Sequence, residues 1–403
     1  MSAPRPYEIN VPDENIERLK QKLALTDFPY DAADFDGTSW AQGPPVSEIK
    51  RLAQVWEKEY DWRKVEKQLN LLPHYRVSVP VDSLGHTYDI HFVHKKSQRK
   101  NAVPLLFLHG WPGSFIEVTK IIDGLTGGQG DKGPFFEVVA PSLVDFGFSS
   151  RSTVSFRFQH HAEVYHKLMK TLGYDRYVVQ AGDVGSLVSR YMAKQYGSSG
   201  FTAYHTNTPA PAEPTKEQHP ELHAKLQSTS LTDAEQQCLA RTGKFMSSGQ
   251  GYFTVQSTRP TTIGYSLRDS PVALLSWIYE KLKDWSDDYA WTDEEILTWV
   301  SIYYFSTAGP EASSNAYYAM VNDSPPAFAA AAAYVDVPMG ISRFQNDLVV
   351  LPKLWNQTLG PIVLEREHGR GGHFAAWERP DAIVEDVRGM FAAGGPLENI
   401  FAS

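Results

Sequence analysis

Tyr177-Val178-Val179-Gln180-Ala181-Gly182-Asp183-Val184-Gly185-Ser186 decides how the rest of the chain is read. A short apolar, β-branched run leads into small residue, any residue, Asp, any residue, small residue, and then into a helical pattern. That is the strand–elbow–helix setting that usually exposes a nucleophilic serine, here with aspartate in its place. An N-cap aspartate would also suit the position. Mere capping does not explain the framing by Ala181, Gly182 and Gly185. The exchange changes the chemistry. A serine attacking a saturated carbon gives an ether, a dead end. A carboxylate gives an ester, which water can cleave at the enzyme's own carbonyl. Asp183 as nucleophile therefore points to alkyl electrophiles such as epoxides or haloalkanes.

Working outward, strand and helix patterns alternate around the elbow. Strands are expected at 88–93, 103–108, 136–140, 176–180 and 201–205, with helices at 115–125, 160–172 and 186–195 between them. This predicts a mostly parallel, doubly wound α/β sheet. Residues 1–80 read as helices and loops, with amphipathic patterns around 16–23 and 51–72, and are expected to wrap the core as a meander. After Thr206 strand signals fade. Helical stretches such as 231–245 and 271–283 follow, the latter capped by Asp269 or Ser270. Strands return at 337–344 and 362–365, and the alanine run 329–333 reads as a packed helix. The expected division is 1–80 meander, 81–208 first part of the core, 209–325 helical cap and 326–403 second part of the core. Ligands in such folds sit at the carboxyl edge of the sheet, under the cap.

Composition bounds the function. The chain has 403 residues, 42% hydrophobic and 21% charged, with a net charge of −9. No basic block stands out, so nucleic acid is not an expected partner. The single cysteine, Cys238, excludes an internal disulfide or a thiolate metal site. No apolar signal core or bilayer-length run is seen, so a soluble, cytoplasmic enzyme without a membrane anchor is expected. A homodimer is compatible with this composition.

Other residues can serve the elbow. His109-Gly110-Trp111-Pro112-Gly113 forces a tight turn at a strand end. The Trp111 and Val184 N–H groups would form a two-donor oxyanion hole. The chain order nucleophile, acid, histidine selects His373 in Gly371-Gly372-His373-Phe374 as base, with His368 as rival, and Asp347 after strand 337–344 as the acid, in preference to Asp336. Glu365, Glu367, His368 and His373 fit no helical zinc motif. The glycine-rich run 124–133 lacks a P-loop ending and reads as a solvated loop. No metal or cofactor is implied.

With these residues assembled, the chain resembles the microsomal-type epoxide hydrolases, particularly the soluble fungal members of the α/β-hydrolase superfamily. The resemblance covers nearly the whole length. It rests on Tyr60-Asp61-Trp62-Arg63, Leu72-Pro73-His74-Tyr75, the 109–115 turn, the Asp183 elbow and Gly371-Gly372-His373-Phe374-Ala375-Ala376. It implies an α/β-hydrolase fold, a small-molecule epoxide substrate and two cap tyrosines that hold the epoxide oxygen. Tyr252, in 251–260, matches the first. Tyr318, in 313–318, aligns with the second, with Tyr317 one residue away. The run Ser142–Ser149 departs from the family's Pro-Gly-aromatic loop, and Asp145 adds a carboxylate expected near the pocket. A haloalkane dehalogenase shares the Asp elbow but needs halide-binding indoles, which Trp111 could supply. A hydrolase-fold receptor without turnover is the non-enzyme alternative.

Overall fold

The computed structural model describes residues 3–31, 37–127 and 133–401. Nine strands form one sheet: β1 (Arg5–Pro6), β2 (His74–Val81), β3 (His86–Lys95), β4 (Val103–Leu108), β5 (Phe136–Pro141), β6 (Tyr177–Ala181), β7 (Phe201–Thr206), β8 (Met339–Phe344) and β9 (Ile362–His368). Their order is β1-β2-β3-β5-β4-β6-β7-β8-β9. From β5 to β9 all pairs are parallel, whereas β1, β2 and β3 join antiparallel at one edge. β6 lies centrally and all five of its residues are buried, as a Val-rich parallel strand covered on both faces requires. This is the α/β-hydrolase fold.

The expected core strands are present with ends shifted by a few residues. The strand expected at 337–344 begins at Met339, because Pro338 has no N–H to give to a ladder. Two readings of the N-terminal 80 residues are corrected. The region is not only helix and loop: β2 alternates Val77, Val79 and Val81 inward, all with 1% exposure or less. The pattern around 51–72 is two helices, Val46–Lys58 and Trp62–Leu69. Asp61 caps the second, accepting from the N–H groups of Arg63 (2.9 Å) and Lys64 (3.3 Å).

Between β7 and β8 every regular element is helical, from Pro220–Ser228 to Ala327–Ala331. Ser270 caps the helix Pro271–Asp284, its hydroxyl accepting from Ala273 N–H at 3.1 Å, with proline at the first helical position. Of the run 124–133, residues 128–132 lie outside the described residues, while Gly124 belongs to the short helix Ile122–Thr126. Among the described residues no helix is long and apolar enough to cross a membrane.

The candidate active site

Asp183 opens the helix Asp183–Tyr196 directly after β6. Its φ of 48° is a left-handed conformation that a non-glycine residue adopts only when its surroundings hold it. Those surroundings are glycines. A Cβ on Gly185 would stand 2.3 Å from the Leu108 carbonyl oxygen, and one on Gly110 would stand 2.3 Å from Asp183 Oδ1. Both must be Cβ-free for β4, its turn and the elbow to approach this closely.

The turn after β4 supplies the first donor. Trp111 N–H donates to Asp183 Oδ1 at 2.8 Å. Val184 follows in the first helical turn, where an N–H has no helical carbonyl to bond. His109 is a structural member of the turn. Its Nε2 accepts from Leu143 N–H at 3.1 Å, which leaves Nδ1 to donate to the Gly110 carbonyl at 3.0 Å. Burial pushes its pKa down to about 4.

His373 follows β9, and its Nδ1 lies 2.8 Å from Asp347 Oδ1, behind β8. Its Nε2 faces Asp183 Oδ2 at 3.5 Å. Burial disfavours the imidazolium, but the charge of Asp347 and hydrogen bonds to Asp183 and Asp347 outweigh it and raise the pKa well above that of a free histidine. Three side chains from three strand ends thus form one chain of contacts. His368 is elsewhere, bonded to Asp386 at 2.6 Å and stacked on Phe344. Asp336 is exposed before β8.

Tyr252 is buried and lies flat on the Trp111 indole, with centroids 5.2 Å apart and planes 5° apart. The second tyrosine requires a correction. Tyr317, not Tyr318, meets Trp111 edge-on at 5.5 Å and Tyr252 at 5.7 Å. Tyr318 lines a separate groove with Arg151, Arg157 and Arg259. One residue along the helix Ser314–Asn322 is a turn of about 100°, enough to move the side chain to another face. Burial first, and then neighbouring negative charge including Asp183, raises the pKa of both Tyr252 and Tyr317, so both remain proton donors. Asp145 does not line the Asp183 cavity; it is buried and fastens its loop, accepting from Ser152 N–H at 2.7 Å.

Two site residues escape the sequence reading. Glu117 lines the cavity at Asp183 and His373. Burial raises its pKa to about 8, His373 opposing and Asp183 adding to the shift. Glu378 ties the loop around His373, accepting from the N–H groups of Asp287 (2.7 Å), Gly372 (3.1 Å) and Phe374 (3.0 Å). No pattern marks it, since it acts through backbone donors.

The chain is similar to known proteins along nearly its whole length. Residues 4–118 match the family model described as epoxide hydrolase N terminus, and residues 103–290 that of the alpha/beta hydrolase fold. A Stigmatella aurantiaca relative is 36% identical over 398 residues, covering 96% of this chain and 84% of its own. Epoxide hydrolase 1 of Sus scrofa is 30% identical, covering 95% of this chain and 87% of its own. The structure of Aspergillus niger epoxide hydrolase superposes with a TM-score of 0.80 at 33% identity, covering 96% of this chain and 95% of that one. With the elbow aspartate, its histidine and this full-length likeness together, the chain belongs to the epoxide hydrolase family of the α/β-hydrolase superfamily.

Proposed function

We propose that this epoxide hydrolase forms a vicinal diol in two covalent steps through Asp183. In the first, Asp183 attacks a ring carbon, the ring C–O bond breaks, and the ring oxygen takes a proton from Tyr252 or Tyr317. In the second, water adds to the ester carbonyl carbon of Asp183 and gives a proton to His373 Nε2. The Trp111 and Val184 N–H groups stabilise the oxyanion. The ester C–O bond then breaks, and the diol oxygen takes the proton back from His373. The acid left on Asp183 then gives its proton to His373 and restores the resting ion pair. Asp347 orients His373 throughout.

The observation that carries this reading is the contact chain Asp347–His373–Asp183 with Trp111 N–H on the same carboxylate. The charge on His373 also suits the sequence of steps. Free Asp183 is one of the groups that keep the imidazole protonated. Ester formation removes that negative charge and leaves a tyrosinate, which takes the imidazolium proton, so His373 is neutral when water must be deprotonated. Two phenols next to Trp111, each able to give a proton to an opening ring, favour an epoxide oxygen over a halide.

His373→Gln is the direct test. With styrene oxide it should accumulate enzyme heavier by one substrate mass on intact-mass analysis, while Asp183→Asn, freshly prepared, should give no adduct and no steady-state turnover. Wild-type turnover in Asp183→Asn would end the assignment. Preference for a bromoalkane over styrene oxide would favour the dehalogenase reading.

A further inference from the structure

A cavity of about 20 Å³, enough for one water molecule, lies against Asp183 and His373. Glu117, Gly110, Trp111 and Gly113 help to wall it, and no residue between 208 and 372 does. Neither proton-donor tyrosine therefore reaches it. It is a space on the core side of the nucleophile, distinct from where an epoxide oxygen would be held.

Glu117 is the unexplained group in that wall. It stands in the short 3₁₀ helix Phe115–Lys120, four residues beyond Gly113. Its Oε1 is sealed from solvent and has no hydrogen-bond partner. It lies so close over Gly113 that a Cβ there would be 1.8 Å away. A buried carboxyl with an unsatisfied oxygen costs stability, and such a cost persists where the group has work to do. Two charges act on it, His373 favouring its ionised form and Asp183 its neutral form, beside a bond from the Ser114 backbone. Burial chiefly, with the charge of Asp183 adding to it, keeps Glu117 neutral, a carboxylic acid that can still accept a hydrogen bond.

Resting on the Asp183-ester reading, we propose that Glu117 holds the hydrolytic water in this cavity. The water donates one hydrogen to the Glu117 carboxyl and the other to His373 Nε2. That leaves its lone pair directed at the Asp183 carbonyl carbon. As the new C–O bond forms, one water O–H bond breaks and that proton goes to His373. Glu117 neither gains nor loses a proton. A neutral acceptor suits this place, since an anion beside the forming oxyanion would oppose it.

The test separates ester formation from ester decay by rapid-quench intact-mass analysis of the full chain with styrene oxide. Glu117→Leu should form the ester within about threefold of the wild-type rate and hydrolyse it about tenfold or more slowly, the scale of one lost water-positioning hydrogen bond. Glu117→Gln, which keeps a carbonyl acceptor, should restore decay to within about threefold of wild type. If Glu117→Leu does not fold, Glu117→Met, unbranched and of similar length, takes its place. A purely structural Glu117 would lower the melting temperature without changing the ratio of the two rates, and that result overturns the proposal. Decay in Glu117→Gln as slow as in Glu117→Leu overturns it too. His373→Gln is the control: an adduct there with unchanged decay in Glu117→Leu removes only the role of Glu117, whereas no adduct there removes the Asp183 ester itself.

Discussion

Asp183 holds a φ of 48° because β6 ends, a helix begins and the carboxylate must still reach Trp111 N–H. Strain of this kind costs on the order of 1–3 kcal/mol and is kept where the exposed side chain does chemistry. The oxygen released by attack needs its own donors, and here geometry separates neighbouring residues. Tyr317→Phe should lower kcat for epoxide opening by roughly 100- to 1000-fold, the range for losing one preorganised donor at a developing oxyanion. Tyr318→Phe, in its separate groove, should remain within about threefold of wild type. Equal losses in steady-state assays of the two variants would contradict this assignment. The pair also marks what could be read from sequence. Asp183, His373 and Asp347 sit at strand ends in a fixed chain order, so a pattern finds them. Two adjacent tyrosines on one helix differ only in facing, which depends on what the helix packs against.

At the scale of elements, His373 is positioned by loops rather than by a strand or helix. The backbone N–H of His373 donates to the Trp285 carbonyl at 2.9 Å, and Glu378 gathers three further N–H groups on either side. Glu378→Ala frees three donors in a partly buried loop, and each charge-assisted bond of this kind contributes about 1.5–3 kcal/mol. The expected outcome is a lower melting temperature together with slower ester decay, while ester formation stays closer to wild type. An unchanged decay rate would mean that the His373 loop is held by other contacts. β2 was missed for a related reason. Its Val77, Val79 and Val81 alternate correctly, but Pro80 demotes the run when read alone, and β2 is a strand because β1 and β3 flank it. The parallel core strands need no such neighbour to be recognised, since their apolar runs are continuous.

At the scale of the whole molecule, the N-terminal segment braces the site from a distance. Trp56 Nε1 donates to Ser301 Oγ at 3.1 Å and Tyr60 pairs with Thr298 at 3.1 Å, both on the helix Asp293–Tyr304. That helix in turn bonds the oxyanion turn: Trp299 donates to the Pro112 carbonyl, and Tyr303 to the Gly113 carbonyl at 2.6 Å. So braced, the turn cannot relax to solvate Glu117, and the fold must carry its raised pKa as a pH-dependent cost. The folded chain holds a proton at Glu117 up to about pH 8, whereas the unfolded chain releases it near 4.5. Between those values the native state binds more protons than the unfolded state, so this group lowers stability as pH rises, and the loss is complete above about pH 8. Its size is on the order of a few kcal/mol, at about 1.4 kcal/mol per pKa unit. His373 acts in the same direction at higher pH: its raised pKa gives stability that is lost as pH climbs through it. Glu117→Gln removes the first contribution and leaves the second. The unfolding free energy of Glu117→Gln minus that of wild type, from denaturant titrations at pH 5 and pH 8, should therefore increase with pH. A difference that stays flat across that interval would mean Glu117 is ionised in the folded enzyme at neutral pH.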